Sequence, residues 1–302
     1  MRYNLAVIRK LVSAAFSDEE LKAFCFDHFS DVYQDFTAGQ TLGQRVQLLL
    51  DFAVRQGQTP RLLAAVAQAN PHQYGRFDGE LQGPDIGPDF TVKPFEPETI
   101  FIPAGPFRMG NADATAPATE RPPHTVHLPD FRIGKHPVTV RQYAVFINDR
   151  KAHPAPAGWF NRQPPADRLD HPVTDVSWFD AVAYCAWLSE QCKPRVYTLP
   201  SEAEWERAGD QSGVAQMLGA VQQWTRSQWG RQPGQPDYGY PYDPTDGREV
   251  ADPARLPPLA RLVHRGGSFK SAPADLRVTA RGNALPDSKI AWRGFRVVMV
   301  IE

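Results

Sequence analysis

Cysteine is nearly missing: Cys25, Cys185 and Cys192 are the only three in 302 residues. Three thiols cannot form a disulfide framework. The expectation is reduced, mostly buried thiols in a cytoplasmic protein. Long apolar runs are missing too. No stretch reaches the ~18 residues needed to cross a bilayer. The apolar run in MRYNLAVIRKLVSAAF is too short for a secretory signal and lacks a small-residue cleavage site. Neither sign of charge is in surplus: the formal net charge is −1, which gives no reason to expect a nucleic-acid or membrane partner. Tryptophan is missing from the first half, since all seven lie after residue 158.

What is present falls into two parts. Residues 1–72 read as a small all-helical bundle. Leu5, Ile8, Leu11, Val12, Ala15 and Phe16 recur at helical spacing. Ser17 and Glu20 stand in capping-box register before the apolar face of Leu21, Phe24, Cys25 and Phe29. A third pattern, Leu42 to Ala53, stops at Gly57, and Pro60 opens a fourth that Asn70-Pro71 ends. No cluster of His, Cys or carboxylates suggests chemistry there. Residues 73–98, rich in Gly, Pro and Asp, read as a linker or an extended strap.

Residues 99–302 read as a loop-dominated α+β domain. Helices are expected over Ser177–Gln191 and from Ser201, the latter with Glu204 in capping-box register. Short strands are expected at Thr99–Ile102, Thr125–Leu128, Phe131–Ile133, Leu262–Arg265 and Phe295–Val300.

Six ordered motifs run through this part: FIPAGPFRMG (101–110), the segment 120–147, HPVTDVSWFDAVAYCAWLSE (171–190), YTLPSEAEWERAG (197–209), QMLGAVQQWT (216–225), and RGGSF with RGFRVV. Together they resemble the formylglycine-generating enzyme (sulfatase-modifying factor) family. The resemblance implies a variant of the C-type lectin fold. It also implies two copper-binding cysteines shortly after the GGS motif. Here the first such position falls at about Ser271 and the second within Ala272 to Asp275, and none is Cys. Ser, Ala, Pro and Asp do not supply the soft thiolate that Cu(I) needs. The family's calcium loops are reduced to DQSGVA (210–215), and its GNVWEW motif has Ala220 and Gln223 in place of Asn and Glu. A branch of the same fold oxygenates sulfur at a histidine-rich metal site, but the eight histidines here are scattered. No catalytic residue, metal site or cofactor is expected.

The first part resembles the effector-associated domains of bacterial conflict systems, on SDEELKAFCFD (17–27) and the helical pattern after it. That resemblance implies a death-like fold that docks with an effector such as a protease, nuclease or nucleotide-switch protein. A family-specific accessory bundle is the alternative.

The C-terminal segment 265–296 then reads as a display region. Arg265, Gly266, Gly267, Ser268, Arg277, Arg281, Gly294, Phe295 and Arg296 are assigned to scaffold, and the residues between them to a ligand face. Those are Phe269, Lys270, Ser271, Ala272, Ala274, Asp275, Thr279, Gly282, Asn283, Ala284, Leu285, Ser288, Ile290, Ala291 and Trp292. Trp292 is either the main anchor or packed under the strap at 76–98. Fixed ends around substituted positions resemble the variable proteins of diversity-generating retroelements. Lys270 is not a residue that adenine-directed variation of an Asn codon yields, so ordinary divergence of a non-catalytic member stands beside that reading. The leading expectation is a non-enzymatic ligand-recognition and adaptor protein, and the rival is a formylglycine-generating-type or related metal-dependent oxidase. Arg226, Arg231 and Arg248 could line an anion pocket or buttress the face.

Overall fold

The computed structural model describes residues 3–56, 58–81, 93–211, 213–250 and 252–300. The chain divides into two compact units, 1–90 and 91–302. In the first unit, Asn4 accepts the Val7 amide at 3.2 Å and so starts α1 (Leu5–Ala15). Ser17 and Glu20 close a reciprocal capping box on α2 (Asp18–His28). After the single turn-and-a-half of α3 (Ser30–Gln34), Thr41 and Gln44 do the same for α4 (Leu42–Arg55). Each box satisfies amides that a helix start leaves unpaired. Together with α5 (Thr59–Ala69), these helices bury Ile8, Leu11, Val12, Leu21, Val46, Leu49, Leu62 and Val66 in one aliphatic core.

One boundary moves. The residues from 73 were read as linker, but Asn70 caps a sixth helix, α6 (Pro71–Phe77), with Pro71 in its first turn. Asn-Pro ends one helix and also starts the next, because the first-turn amide that proline lacks has no helical partner anyway. Leu81, 2% exposed, then closes the same core, and its carbonyl accepts the Asn4 amide. Residues 82–92, the body of the expected strap, lie outside the described residues.

The second unit is built on short strands. β1 (Thr99–Ile102) pairs antiparallel with β4 (Phe131–Gly134), while β2 (Gly105–Met109) and β3 (His124–Leu128) form a separate ribbon. Helices α7 (Val140–Asp149) and α8 (Trp178–Gln191) bring Tyr143, Phe146, Trp178, Tyr184 and Trp187 into the main core. α8 lies where a helix is expected over Ser177–Gln191, and α7 is a helix the sequence motifs do not mark. β5 (Val196–Thr198) precedes α9 (Glu202–Gly209). A second sheet then joins β6 (Gln222–Gly230), β7 (Arg261–Arg265), β8 (Arg281–Ala284) and β9 (Arg293–Phe295), in the order β8-β7-β6-β9. The expected strand over 295–300 is two strands in two sheets. β9 lies parallel to β6, whereas β10 (Val298–Val300) sits between β4 and β5. Arg296, between them, spends its side chain on tying the two sheets together.

Candidate ligand-recognition face

The LPSEAEWERAG motif supplies the foundation. Ser201 caps α9, and the helix carries Glu202, Glu204 and Glu206 inward, all buried. Carboxylates are tolerated there because arginines from other segments meet them. Arg281 forks onto Glu202 at 2.7 and 2.8 Å, Arg265 pairs with Glu206, and Arg226 forks onto Glu204 at 2.7 and 3.1 Å. Arg265 also donates to the Thr279 and Val278 carbonyls at 3.0 Å. Arg277 pairs with Glu120 at 2.6 Å and donates to the Ala274 carbonyl. The C-terminal segment is therefore stapled to the core by its own arginines. Arg296 is fully buried and donates to Gln223 Oε1, Gly134 O and Ala215 O at 2.5, 2.7 and 2.9 Å. Burial pushes its pKa down to about 9. Gln223 is the residue standing where the family motif has Glu, and its oxygen also accepts the Trp205 indole N–H at 2.9 Å. The GGS glycines have steric reasons: Gly266 has φ +91°, and a Cβ there would stand 2.4 Å from Met217 O. A Cβ on Gly294 would stand 2.2 Å from Val173 O.

Among the fifteen positions read as ligand-facing, the structure separates two groups. Phe269 is 64% exposed, and Lys270, Ala272, Ala274, Asp275, Leu285 and Ala291 are exposed with it. Ser271, Ser288, Ile290 and Trp292 are half-buried. Four others are corrections. Ala284 is buried in the main core. Gly282 lies under the His264 ring, where a Cβ would come within 2.2 Å of an imidazole carbon. Thr279 donates to Glu120 at 2.6 Å, and Asn283 donates to Pro233 O at 2.9 Å while accepting from Arg261 at 2.5 Å. Gly282, Asn283 and Ala284 sit in β8, where pairing with β7 commits them to the sheet, and Thr279 lies two residues before it. Lys289 was not assigned a role. It binds Asp180 at 2.8 Å, which fastens the 285–292 loop to the start of α8. Trp178 N to Pro286 O and Asp175 N to Ile290 O, at 2.9 and 3.1 Å, fasten the same loop.

At the first position the family resemblance gives to a thiol, Ser271 Oγ accepts the Ser268 amide at 3.0 Å and closes a turn. The next residues form a 3-10 turn, Pro273–Asp275. The three cysteines are buried elsewhere. Burial pushes Cys25 up to about 12 and Cys192 up to about 11, and Cys185 higher still. Arg226 and Arg248 are held by Glu204 and Asp246, and the exposed Arg231 lies near Asp237. Arg226 and Arg248 therefore buttress the fold. His124 accepts the Tyr242 amide at 2.7 Å, which makes it a structural residue.

Fold and site together define a loop-rich α+β scaffold with an arginine-stapled C-terminal face. The sulfatase-modifying factor enzyme 1-like domain matches residues 88–212 and 209–301, and the chain belongs to that family. Effector-associated domain 7 matches residues 8–71. A hercynine oxygenase from Mycolicibacterium smegmatis is 34% identical over 138 residues, covering 36% of this chain and 31% of that protein. A formylglycine-generating enzyme from Thermomonospora curvata is 33% identical over 166 residues, covering 40% of this chain and 52% of that protein. The chain thus spans about a third to about half of the length of these relatives. PvdO from Pseudomonas aeruginosa has the same fold, with a TM-score of 0.53 at 22% identity over 72% of this chain and 100% of that one. No helix among the described residues is long and apolar enough to cross a membrane.

Proposed function

We propose that this chain is a non-enzymatic recognition and adaptor protein. Its second unit binds a protein or peptide ligand through the face around Phe269 and Trp292. Its helical unit docks with an effector in a bacterial conflict system. The observation that carries the reading is the turn at Ser271. Where the family resemblance places reactive thiols, the chain has a hydroxyl already committed to a local turn, followed by small exposed residues on a rigid frame. Exchangeable loop residues on a fixed scaffold suit recognition. The match of residues 8–71 to an effector-associated domain supports the docking half. The exposed strip also suits diversification by a retroelement, and a template repeat beside the gene is the expected sign of it.

The rival is a metal-dependent oxidase of the formylglycine-generating type, favoured by the activities for which the two relatives are named. The test is metal analysis of the full chain after incubation with copper(I) and iron(II) and desalting, run beside partner capture. Stoichiometric retained metal supports the oxidase. A partner lost on deleting residues 1–81, with no retained metal, supports the adaptor.

A further inference from the structure

Five arginines of the second unit are buried among the described residues: Arg207, Arg248, Arg265, Arg293 and Arg296. A buried guanidinium must replace the water it gave up, with counter-charge or with several strong acceptors. Arg248 has Asp246, and Arg265 has Glu206. Arg207 donates to the Gly105 and Pro103 carbonyls, and Arg296 to carbonyls and Gln223. Each of the four meets a carboxylate or backbone carbonyls inside the fold, with Arg248 Nη1 and Arg265 Nε left without a hydrogen-bond partner.

Arg293 is different. Its Nε donates to Gln222 Oε1 at 3.0 Å and its Nη1 to Ser288 Oγ at 3.3 Å. Its Nη2 donates to no described residue, and no carboxylate pairs with it among them. Among the described residues, the charged side chain that acts on it is Arg261, of its own sign. Both acceptors are neutral, and both belong to half-buried residues at the edge of the recognition face. The guanidinium carbon lies 4.5 Å from the centre of the Trp224 ring, so its plane is held against a rigid surface. A fixed, under-neutralised guanidinium with one arm unused and the other on a long hydroxyl contact fits a two-pronged acceptor.

We propose that Arg293 is a carboxylate receptor at the foot of the recognition face, and that the ligand read by this face brings an acidic group to it. The inference rests on the recognition reading above and adds the chemistry of the ligand. The acid could be an Asp or Glu side chain, or a chain-terminal carboxylate, and the probes separate these.

The experiment titrates the full chain with N-acetyl-Ala-Phe as free acid and as amide, and with N-acetyl-Asp-amide. Binding is read by calorimetry and by the shift in Tm. At least one acid is expected to bind and raise Tm, with no effect of N-acetyl-Ala-Phe-amide. Arg293→Gln should abolish that binding. Because that change touches a buried residue, Ser288→Asp is the second variant. It tethers a carboxylate beside Nη1, and should raise Tm on its own and abolish the effect of added acid. Equal effects of acid and amide, no effect of any acid, or acid binding that persists in both variants would overturn the proposal. Partner capture through residues 1–81 is measured on the same samples. Capture with no acid effect sinks this inference alone, whereas stoichiometric copper sinks the recognition reading.

Discussion

The two units of this chain are held together by different physics. The helical unit buries aliphatic and aromatic side chains on amphipathic faces, and most of its charges stay outside. The second unit buries Glu202, Glu204, Glu206, Arg248, Arg265 and Arg296 along with its tryptophans. Helices satisfy their own backbones, so the first unit needs only an apolar face and caps. A fold made mainly of loops cannot do that. It needs side chains that reach across and saturate carbonyls, and the arginines do this work. The difference teaches where each unit is fragile: the first to lost volume, the second to lost charge partners.

The largest expected effect comes from breaking the second unit's network at its hub. Glu202 is fully buried, forks with Arg281, and lies 3.6 and 3.9 Å from Arg248 and Arg265. Glu202→Ala strands a buried charge, and such losses cost about 3–5 kcal/mol. Thermal unfolding followed by near-ultraviolet circular dichroism should show the tryptophan-rich unit melting earlier. The helical unit, followed at amides of residues 3–81 by hydrogen exchange, should be unchanged. The converse variant is Leu49→Ala. Leu49 is fully buried in the helical core, and its loss should cost about 2–5 kcal/mol while leaving the tryptophan signal alone. If either variant destabilises both units equally, the contrast is wrong.

That contrast also sets what could be read in the sequence. The helical unit was legible almost residue by residue, because periodicity of Leu, Val and Phe is a local signal. Two helices had no counterpart in that periodicity: the short α3 (Ser30–Gln34), and the helix at Pro71–Phe77, where Asn70-Pro71 reads as a stop. The second unit has little periodicity, and its strands are short. Its fold was legible only through motifs such as AEWERAG and RGFRVV, which resemblance could read and spacing could not. Within the display region, Arg265, Arg277, Arg281 and Arg296, read as scaffold, all bond inside the fold. Gly282 and Ala284, read as ligand-facing, lie in β8, and small residues look alike whether they lie beneath a ring or face a ligand. Lys289 and Gln222 were passed over since nothing local marks a tie to α8 or to Arg293.

A pH scan sharpens the comparison through His264. Burial, with Arg293 nearby, holds its imidazole down at about 3, against an ordinary 6.5. The folded state thus keeps it neutral while the unfolded chain takes up a proton below 6.5. The sign follows from linkage: the stability it contributes is present above pH 6.5 and is lost as the pH falls toward about 3. The second unit should lose stability across that window. His264→Gln should flatten the slope, seen as Tm against pH, and an unchanged slope would assign the loss to the buried carboxylates instead.

The smallest expected effect on stability is the one that isolates function. Phe269 is 64% exposed, and the Lys270 ammonium lies 5.7 Å from its ring centre. Phe269→Ala removes no core contact, and surface changes of this kind stay within about 0.5 kcal/mol. Exposed aromatics on rigid frames are the residues that anchor interfaces. The variant should therefore melt with the parent in both units while losing ligand binding at the C-terminal face, measured by calorimetry on the full chain. A side chain that costs nothing to the fold and much to binding is what separates the face from its scaffold. If Phe269→Ala binds as the parent does, the anchor lies further along the segment, and Trp292→Ala is the variant that must then lose it.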